Sequence, residues 1–382
     1  MGADAGDLVA PEGDTVNYLD YWGLTENPLN SRDFVHTEKV IDIINYIKAG
    51  NSIKVLGPAG IGKSAVMREA KATLEEKIDE KYVFTVVGFN WLVDSTNTAL
   101  TRDGMIALAH YVDAAFKTRF KKLKDKGINE DYPTASYKHL EFILSNSDNI
   151  GPAVRFFHLQ ELFKKIKADG FKPVVVFDDA DPVPQYFDNY DNLNSITELS
   201  HSTVFCYKYS EKAAGAQNAT RPQNDETHTE LAARRDRLEA FLRRSVEVVI
   251  EGQTAYNTLK IIRGKLGKRD LLTDEALACG LKVAECGTKS QQTSLQTWSD
   301  GKNIAGCLLY NPGKIGMFLS YCLELACKQS WPKNKKIDTE IAAEAYRKTL
   351  INSSGYVPLD SSIIARHLEE IKKARAELKA EA

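Results

Sequence analysis

The fold of this chain is decided by one stretch, Gly57-Pro58-Ala59-Gly60-Ile61-Gly62-Lys63-Ser64, which matches the pattern G-x-x-x-x-G-K-[ST] in full. Glycines let such a loop close around an anion with its backbone N–H groups pointing inward, in dihedral angles that other residues resist. A helix that begins near Gly62 would add the positive end of its dipole. The stretch, together with Ala65 after it, therefore predicts a phosphate cradle.

The residues on either side of the cradle support this interpretation. Ser52–Leu56 has the pattern of a short buried strand, and residues 64–81 are good helix formers. A glycine-rich turn that binds nothing is the alternative, and the strand–loop–helix context disfavours it. In the cradle, Lys63 is expected to reach the β and γ phosphates and the Ser64 hydroxyl to ligate Mg²⁺. These roles predict ATP and Mg²⁺ as cofactors.

A second motif is an apolar run that ends in acids, Val174-Val-Val-Phe177-Asp178-Asp179-Ala-Asp181. A buried strand of this kind has the form of a Walker B segment. Asp178 is expected at the carboxyl end of the strand, where it would complete the Mg²⁺ shell. Asp179 stands where a carboxylate can orient and activate the attacking water. The alternative, a strand that simply ends in a polar turn, is disfavoured by the cradle upstream.

Alternating strand and helix patterns predict the architecture. Short apolar runs predict strands at 52–56, 82–88, 173–177, 203–207 and 246–250. Helical patterns lie between them, so we expect an α/β fold of the P-loop NTPase kind, with a parallel sheet flanked by helices. After Gly252 no further strand is expected, and the remaining patterns predict an all-helical lid.

These patterns divide the chain into four segments. We expect a disordered N-terminus over 1–16, an ATPase domain over 17–252, a helical lid over 253–350 and a tail over 351–382. The tail is predicted to form a polar helix with one narrow apolar stripe, made of Ile364, Leu368, Ile371 and Leu378. Such a stripe docks by default on the chain's own surface, and the alternative is a partner protein.

Composition excludes several classes of protein. The 382 residues carry 50 Lys and Arg against 52 Asp and Glu, so the chain does not hold nucleic acid by bulk charge. The six cysteines form no C-x-x-C pair, which favours buried free thiols in a reducing compartment. We find neither a signal peptide nor an apolar run long enough to span a membrane. We therefore expect a soluble intracellular protein of the cytoplasm or of the nucleus or nucleoid.

With both motifs placed, the chain resembles the AAA+ superfamily, particularly the branch of origin-recognition initiators and transposon-encoded target-selecting ATPases. Three further segments carry the resemblance: Tyr21-Trp22-Gly-Leu-Thr-Glu-Asn-Pro28, Leu242-Arg243-Arg244-Ser-Val-Glu-Val and Tyr310-Asn311-Pro312-Gly313-Lys314. By this resemblance, Arg243 or Arg244 supplies an arginine finger to a neighbouring subunit, which implies a homo-oligomer. Two solvated arginines at the end of a helix are the alternative.

The sensor positions depart from the family pattern. Sensor 2 is normally an arginine, and the corresponding residue here is Gly313 or Lys314. Lys314 could still touch a phosphate of the nucleotide as a point charge. Sensor 1 is ambiguous among Lys208, Tyr209 and Ser210.

Two more departures concern the catalytic acid and the spacing of the motifs. Most AAA+ proteins carry Glu at the position of Asp179, and Asp is shorter by one methylene. Turnover would be slow if the attacking water needs that reach. The gap from Lys63 to Asp178 is also long for the family, which indicates a helical insertion within about 92–150.

A local excess of positive charge bears on nucleic acid. Residues 117–126 contain six basic side chains and one acid. They could follow a phosphate backbone, or they could form a solvated helix face. Initiators of the origin-recognition type carry a winged helix after the lid, and residues 351–382 are too few for such a domain. We therefore expect any contact with DNA to be non-specific.

These observations leave three functional hypotheses. The leading one is a Mg²⁺–ATP-dependent AAA+ switch that assembles into an oligomer and acts in DNA replication, transposition or a related process. The second is a nucleotide-gated signalling or scaffolding module of the STAND type, with little or no turnover. A small-molecule kinase is disfavoured because the sequence has no compact arginine-rich lid over a second substrate pocket.

Overall fold

The computed structural model of the protein describes residues 18–28, 37–77, 80–88, 100–128, 134–146, 149, 152–178, 197–208, 244–288, 308–351 and 358–381. Their contacts divide the chain into two compact units. The α/β unit comprises the described residues between 37 and 250. The helical unit comprises those from 251 onwards together with the N-terminal residues 18–28.

The α/β unit is built on a five-stranded parallel sheet. Its strands are β1 (Ile53–Gly57), β2 (Tyr82–Gly88), β3 (Lys172–Asp178), β4 (Ser202–Lys208) and β5 (Val246–Val249). Their order across the sheet is β2-β3-β4-β1-β5. Since all strands run the same way, the carboxyl ends of β1, β3 and β4 meet at one edge, the edge at which α/β proteins bind ligands.

Helices cover both faces of this sheet. They are α2 (Thr37–Lys48), α3 (Lys63–Glu75), α4 (Leu100–Asp125), α5 (Thr134–Ser145) and α6 (Pro152–Ala168). On β3, Val175 and Phe177 belong to the core cluster formed with α4, α5 and α6. The alternating residues Val174 and Val176 are equally buried and must point to the opposite face. Burial on both faces explains why the strand is an unbroken apolar run.

Aromatic rings join the helical layer to the sheet. Phe116 and Phe120 of α4 stack 6.1 Å apart, and Phe116 meets Phe171 edge to face at 5.5 Å. Phe171 directly precedes β3, so α4 is fixed against the strand that carries Asp178. The interval 92–150, in which the sequence predicts a helical insertion, contains α4 and α5.

The helical unit contains five further helices. They are α7 (Ala255–Lys265), α8 (Asp274–Ala284), α9 (Pro312–Lys328), α10 (Thr339–Ile351) and α11 (Ser361–Ala380). Several begin at a side-chain cap: Thr254 accepts from the backbone N–H of Asn257, and Thr273 accepts from that of Ala276. All five helices contribute residues to one large apolar core.

The expectation of an all-helical lid is wrong in one respect. The helical unit also holds a two-stranded antiparallel sheet of β6 (Glu285–Thr288) and β7 (Leu308–Tyr310). These strands have four and three residues, too few for an alternating pattern to be visible in the sequence. Helix α7 has a local signal, since Leu259, Ile262 and Leu266 have helical spacing.

The N-terminal segment 18–28 packs on the helical unit. It begins with a short helix, α1 (Tyr18–Trp22). The Trp22 side chain is buried, and its indole N–H donates to the carbonyl oxygen of Leu323 at 3.0 Å. The Tyr21 hydroxyl donates to the carbonyl oxygen of Trp331 at 2.6 Å.

This placement differs from the sequence-based boundaries, which group residues 17–252 in one domain. The reason is the long range of the contacts. Trp22 finds its core and its hydrogen-bond acceptor about 300 residues later in the chain, on α9. Local patterns contain no information about such a partner.

The apolar stripe of the tail helix docks on the chain itself. Ile371 is buried in the core of the helical unit, and Ile364, Leu368 and Leu378 pack half-buried against it. The default expectation of own-surface docking is therefore confirmed. The alternative, a protein partner bound through this stripe, has no support, because the apolar face that would bind it is already covered.

Two expectations about environment can be compared with the described residues. None of the helices in these ranges is long and apolar enough to cross a bilayer. None of the cysteines among the described residues forms a disulfide. Four of them are buried, namely Cys206, Cys279, Cys322 and Cys327. Burial raises the pKa of the Cys279 thiol to about 11, so this side chain behaves as an inert apolar group.

Candidate nucleotide-binding site

The predicted cradle lies between the end of β1 at Gly57 and the start of α3 at Lys63. Gly60 and Gly62 have φ angles of 75° and 110°, in the left-handed region that favours glycine. Gly62 is also the N-cap of α3, and the helix has no side-chain cap. An anion can therefore take the place of a capping side chain at the positive end of the helix dipole.

Close packing explains why the loop begins with glycine. A Cβ atom at Gly57 would lie 2.7 Å from Cγ2 of Ile61 and 2.8 Å from the carbonyl oxygen of Ile250. Both isoleucines are fully buried. The backbone N–H of Ile250 donates to the carbonyl oxygen of Leu56 at 2.7 Å. The cradle thus rests on the residue that follows β5, a support that the motif pattern does not specify.

Lys63 is held inside the loop. Its side chain is only 6% exposed, and Nζ donates to the carbonyl oxygens of Gly57 at 2.8 Å and of Pro58 at 3.1 Å. Both acceptors are neutral, so these bonds orient the ammonium group without cancelling its charge. A phosphate in the cradle would meet a fixed positive charge in a partly desolvated place.

The structure brings together the two predicted metal ligands. Ser64 lies in the first turn of α3 and Asp178 ends β3, and the Ser64 hydroxyl donates to Oδ1 of Asp178 at 2.9 Å. Hydroxyl and carboxylate oxygens are the hard ligands that Mg²⁺ prefers. Sequence spacing alone cannot supply this distance. The distance follows from the sheet order, in which only β4 lies between β1 and β3.

The donor set fits a cation that arrives with a nucleotide. The described residues contain no group of three or more His, Cys, Asp or Glu side chains that could hold a metal alone. Mg²⁺ is usually bound by one or two carboxylates together with substrate phosphates and waters. Ser64 and Asp178 beside the cradle match this mode of binding.

Strand β4 lies between the two halves of the site. The residue at its carboxyl end, Lys208, is in register with Gly57 of β1. The carboxyl end of β4 therefore lies between those of β1 and β3, and the resemblance places sensor 1 after this strand. Of the three candidates for sensor 1, Tyr209 and Ser210 lie outside the described residues.

One further predicted site residue, Arg244, is not brought to this edge. Arg244 precedes β5, whose first residue Val246 pairs with Ile53 at the start of β1. The cradle follows the opposite end of β1, about 13 Å away at roughly 3.3 Å per residue. Arg244 is exposed at that far edge, so it does not serve the cradle of its own chain. Arg243 and Asp179 lie outside the described residues.

Lys314 belongs to the helical unit. It lies in the first turn of α9, where the buried Asn311 side chain accepts from the backbone N–H groups of Gly313 and Lys314. Asn311 thus caps α9, so this helix start does not present an open anion site. Any contact of Lys314 with a nucleotide would come from its side chain alone.

Part of the basic run of residues 117–126 is engaged within the α/β unit. Lys117 and Lys122 form ion pairs with carboxylates of the α/β unit. Arg119 is 5% exposed, and its guanidinium lies 5.6 Å from the centre of the Phe171 ring. All five lysines of the run are exposed, and those that form no ion pair with another described residue are Lys121, Lys124 and Lys126. Because Arg119 is buried, the run does not present all six charges together to a phosphate backbone.

Comparison with known proteins gives matches in structure only. No protein-family model and no curated protein sequence matches the chain. The Aeropyrum pernix ORC1 protein, solved in complex with DNA, is 12% identical with a TM-score of 0.49, covering 92% of this chain and 86% of that one.

Two further structures are similar over the same share of this chain. A Walker-type ATPase of Pyrococcus abyssi is 12% identical with a TM-score of 0.48, and 79% of its length is covered. PCH-2 of C. elegans is 10% identical with a TM-score of 0.29, and 73% of its length is covered. All three TM-scores are below 0.5. The sheet order β2-β3-β4-β1-β5 and the glycine-rich loop between β1 and α3 give the chain an AAA+-like P-loop NTPase fold.

Proposed function

We propose that the chain binds Mg²⁺–ATP at Gly57–Ser64 and hydrolyses it as an oligomeric AAA+ switch. The observation that carries this proposal is the 2.9 Å hydrogen bond from Ser64 to Asp178. A glycine-rich cradle alone would suit any phosphate. A hydroxyl and a carboxylate beside it add the ligands of a divalent cation, and this combination suits a nucleoside triphosphate.

Each residue of the candidate site has a definite task in this proposal. The backbone of Gly60 and Gly62 surrounds the phosphates, and Lys63 stabilises the charge that develops on the transferred phosphoryl group. Ser64 and Asp178 would hold Mg²⁺, which would neutralise negative charge on the phosphates. Asp179 would orient a water for in-line attack, giving ADP and inorganic phosphate.

The oligomeric part of the proposal concerns Arg243 and Arg244. Arg244 is exposed and lies at the sheet edge away from its own cradle. An arginine in that position can stabilise the transition state only on a neighbouring subunit. We therefore propose a homo-oligomer in which one subunit completes the site of the next, and a non-specific contact with DNA in replication, transposition or a related process.

A STAND-like scaffold with little turnover is the second candidate. The short carboxylate of Asp179 and the absence of an arginine at the sensor 2 position favour it. Both candidates require the cradle, so nucleotide binding does not separate them. The rate of hydrolysis does.

The deciding experiment is ATP turnover by the purified chain, measured with the variants Asp179→Asn and Asp181→Asn. The switch requires measurable hydrolysis that falls by about 100-fold or more in Asp179→Asn. The nearby Asp181→Asn is the matched control and should retain the wild-type rate. Negligible hydrolysis in all three proteins would favour the scaffold.

Two additions test the finer claims. The rate per subunit should rise with protein concentration, and Arg243→Ala or Arg244→Ala should lower it without weakening ATP binding. Double-stranded DNA should change the rate of hydrolysis or the oligomer size. DNAs of unrelated sequence should have equal effects, because the proposed contact is non-specific. If DNA alters neither, the proposed role in DNA processing fails while the ATPase proposal stands.

A further inference from the structure

The helical unit contains a cavity of about 340 Å³ bounded by α7, the turn after it, α8 and the C-terminal end of α11. Its walls are apolar and include Leu259, Leu266, Leu277 and Leu378. The volume lies at the lower end of the range for small-molecule sites, about 300–1,000 Å³. Walls of this kind offer water few hydrogen-bond partners, so they favour an apolar occupant.

The charged side chains that line the cavity are mostly basic. They are Arg263, Lys268, Arg269, Arg375 and Lys379, and the one acid among the lining residues is Asp270. Asp270 is already engaged by Lys336 and by Arg375, whose Nη2 lies 3.3 Å from Oδ1. Arg375 also pairs with Asp274 at 2.7 Å. These contacts neutralise Asp270, so the cavity keeps an excess of positive charge.

The remaining cations are exposed. Arg269 donates to two backbone carbonyl oxygens, that of Gly23 at 2.9 Å and that of Leu266 at 3.4 Å, and neither acceptor carries a charge. Arg263, Lys268 and Lys379 line the cavity and are exposed to solvent, on α7, the turn after it and α11 respectively. An apolar interior is thus combined with a cationic mouth.

We propose that this cavity binds a small amphipathic anion, with an apolar chain inside and a carboxylate or phosphate group at the mouth. The charge excess selects an anion, and the leucine walls select an apolar body. The small volume admits one short chain, which favours a free amphiphile over a peptide or a bilayer surface. The site lies within the helical unit and does not depend on nucleotide binding.

The test uses the full chain without nucleotide. Octanoate, decanoate and dodecanoate, each below its micelle concentration, are titrated by calorimetry and checked by ligand-observed NMR. We expect saturable binding at one site. Decanol, which has the same chain length as decanoate but no charge, should bind about tenfold more weakly, because it loses a charge-assisted contact.

Variants locate the site. The double variant Arg263→Gln with Lys379→Gln changes only exposed side chains and should weaken decanoate binding by about tenfold. Arg347→Gln is the matched control, since Arg347 is an exposed arginine of α10 that does not line the cavity. Leu378→Trp should block binding by filling the space, and the double variant remains informative if Leu378→Trp does not fold.

Several results would overturn the proposal. It fails if no carboxylate binds saturably, if decanol binds as tightly as decanoate, or if the double variant binds like the control. It also fails if only vesicles of anionic phospholipid bind, since that would indicate a membrane surface. A loss of oligomers in Leu378→Trp without any carboxylate binding to the wild type would assign the cavity to a neighbouring subunit.

Discussion

Gly57 shows how closely the candidate site is packed against the rest of the sheet. The space for a side chain is taken by Ile61 and by the backbone carbonyl of Ile250. The isoleucine side chain can shift by rotating, but the carbonyl belongs to the edge of the sheet and cannot move without disturbing β5. The loop therefore keeps its shape by close packing as well as by the dihedral freedom of its glycines.

Gly57→Ala should weaken ATP binding by at least about tenfold and destabilise the fold by about 1–3 kcal/mol, the usual cost of an extra methyl group in a full site. Nucleotide titration and urea unfolding measure the two effects. Ala59→Ser, at an exposed position of the same loop, is the control and should leave the free energy of unfolding unchanged. Wild-type values for Gly57→Ala would show that the loop is not packed as described.

His367 gives the helical unit a dependence on pH. It is buried, with Nδ1 3.2 Å from the Tyr310 hydroxyl and Nε2 3.6 Å from Oε2 of Glu285. Burial lowers the pKa of His367 from 6.5 to about 4, although the Glu285 carboxylate opposes this shift. The positive side chains of Lys282 and Arg366 also disfavour its protonation.

The sign of the effect follows from these values. His367 binds a proton more readily in the unfolded chain than in the folded chain. Its contribution to the free energy of unfolding is therefore fully present above pH 6.5 and is lost as the pH falls from 6.5 towards 4. Urea unfolding at a series of pH values measures this effect. His367→Gln should flatten the dependence of the free energy of unfolding on pH between 6.5 and 4. The exposed His110→Gln is the control. An unchanged profile in His367→Gln would contradict the assignment.

At the scale of elements, the short helix α1 depends on a partner far along the chain. Trp22 is 2% exposed, and its indole N–H donates to the carbonyl oxygen of Leu323 in α9. A five-residue helix has little stability of its own. Its order therefore comes from the core it enters, and that core in turn needs the ring of Trp22.

Trp22→Ala should lower the free energy of unfolding of the helical unit by about 3–5 kcal/mol, the usual cost of removing a buried large aromatic side chain. Urea unfolding followed by circular dichroism measures it. Trp331→Ala is a matched control because Trp331 is half-buried in the same unit, and its cost should be clearly smaller. Equal costs for the two variants would argue against the packing of α1.

The elements that the sequence predicts correctly are those whose signal is local. The glycine-rich loop between β1 and α3 and the apolar β3 ending in Asp178 each carry their own pattern. The pairing of β6 with β7 and the support of Gly57 by Ile250 are contacts between distant residues with no local signature. For the same reason, the sequence alone cannot show that half of the basic run in residues 117–126 is engaged within its own unit.

At the scale of the whole molecule, the two proposed sites lie in different units. The α/β unit brings the cradle, Ser64 and Asp178 to one edge of its sheet. The helical unit is built from both ends of the described chain, because residues 18–28 pack with those after 250. The proposed nucleotide chemistry belongs to the first unit and the proposed amphiphile site to the second, so each can be tested without the other.

The central claim is that Ser64 and Asp178 bind Mg²⁺ together with ATP. Its most direct test is the affinity for ATP with and without Mg²⁺, measured for the wild type, Asp178→Asn and the exposed control Asp125→Asn. We predict that Mg²⁺ tightens ATP binding by about tenfold or more in the wild type and the control, and that Asp178→Asn removes this gain while Mg²⁺-free binding persists. An Asp178→Asn protein that keeps the full effect of Mg²⁺, or a wild type that binds no ATP, would contradict it.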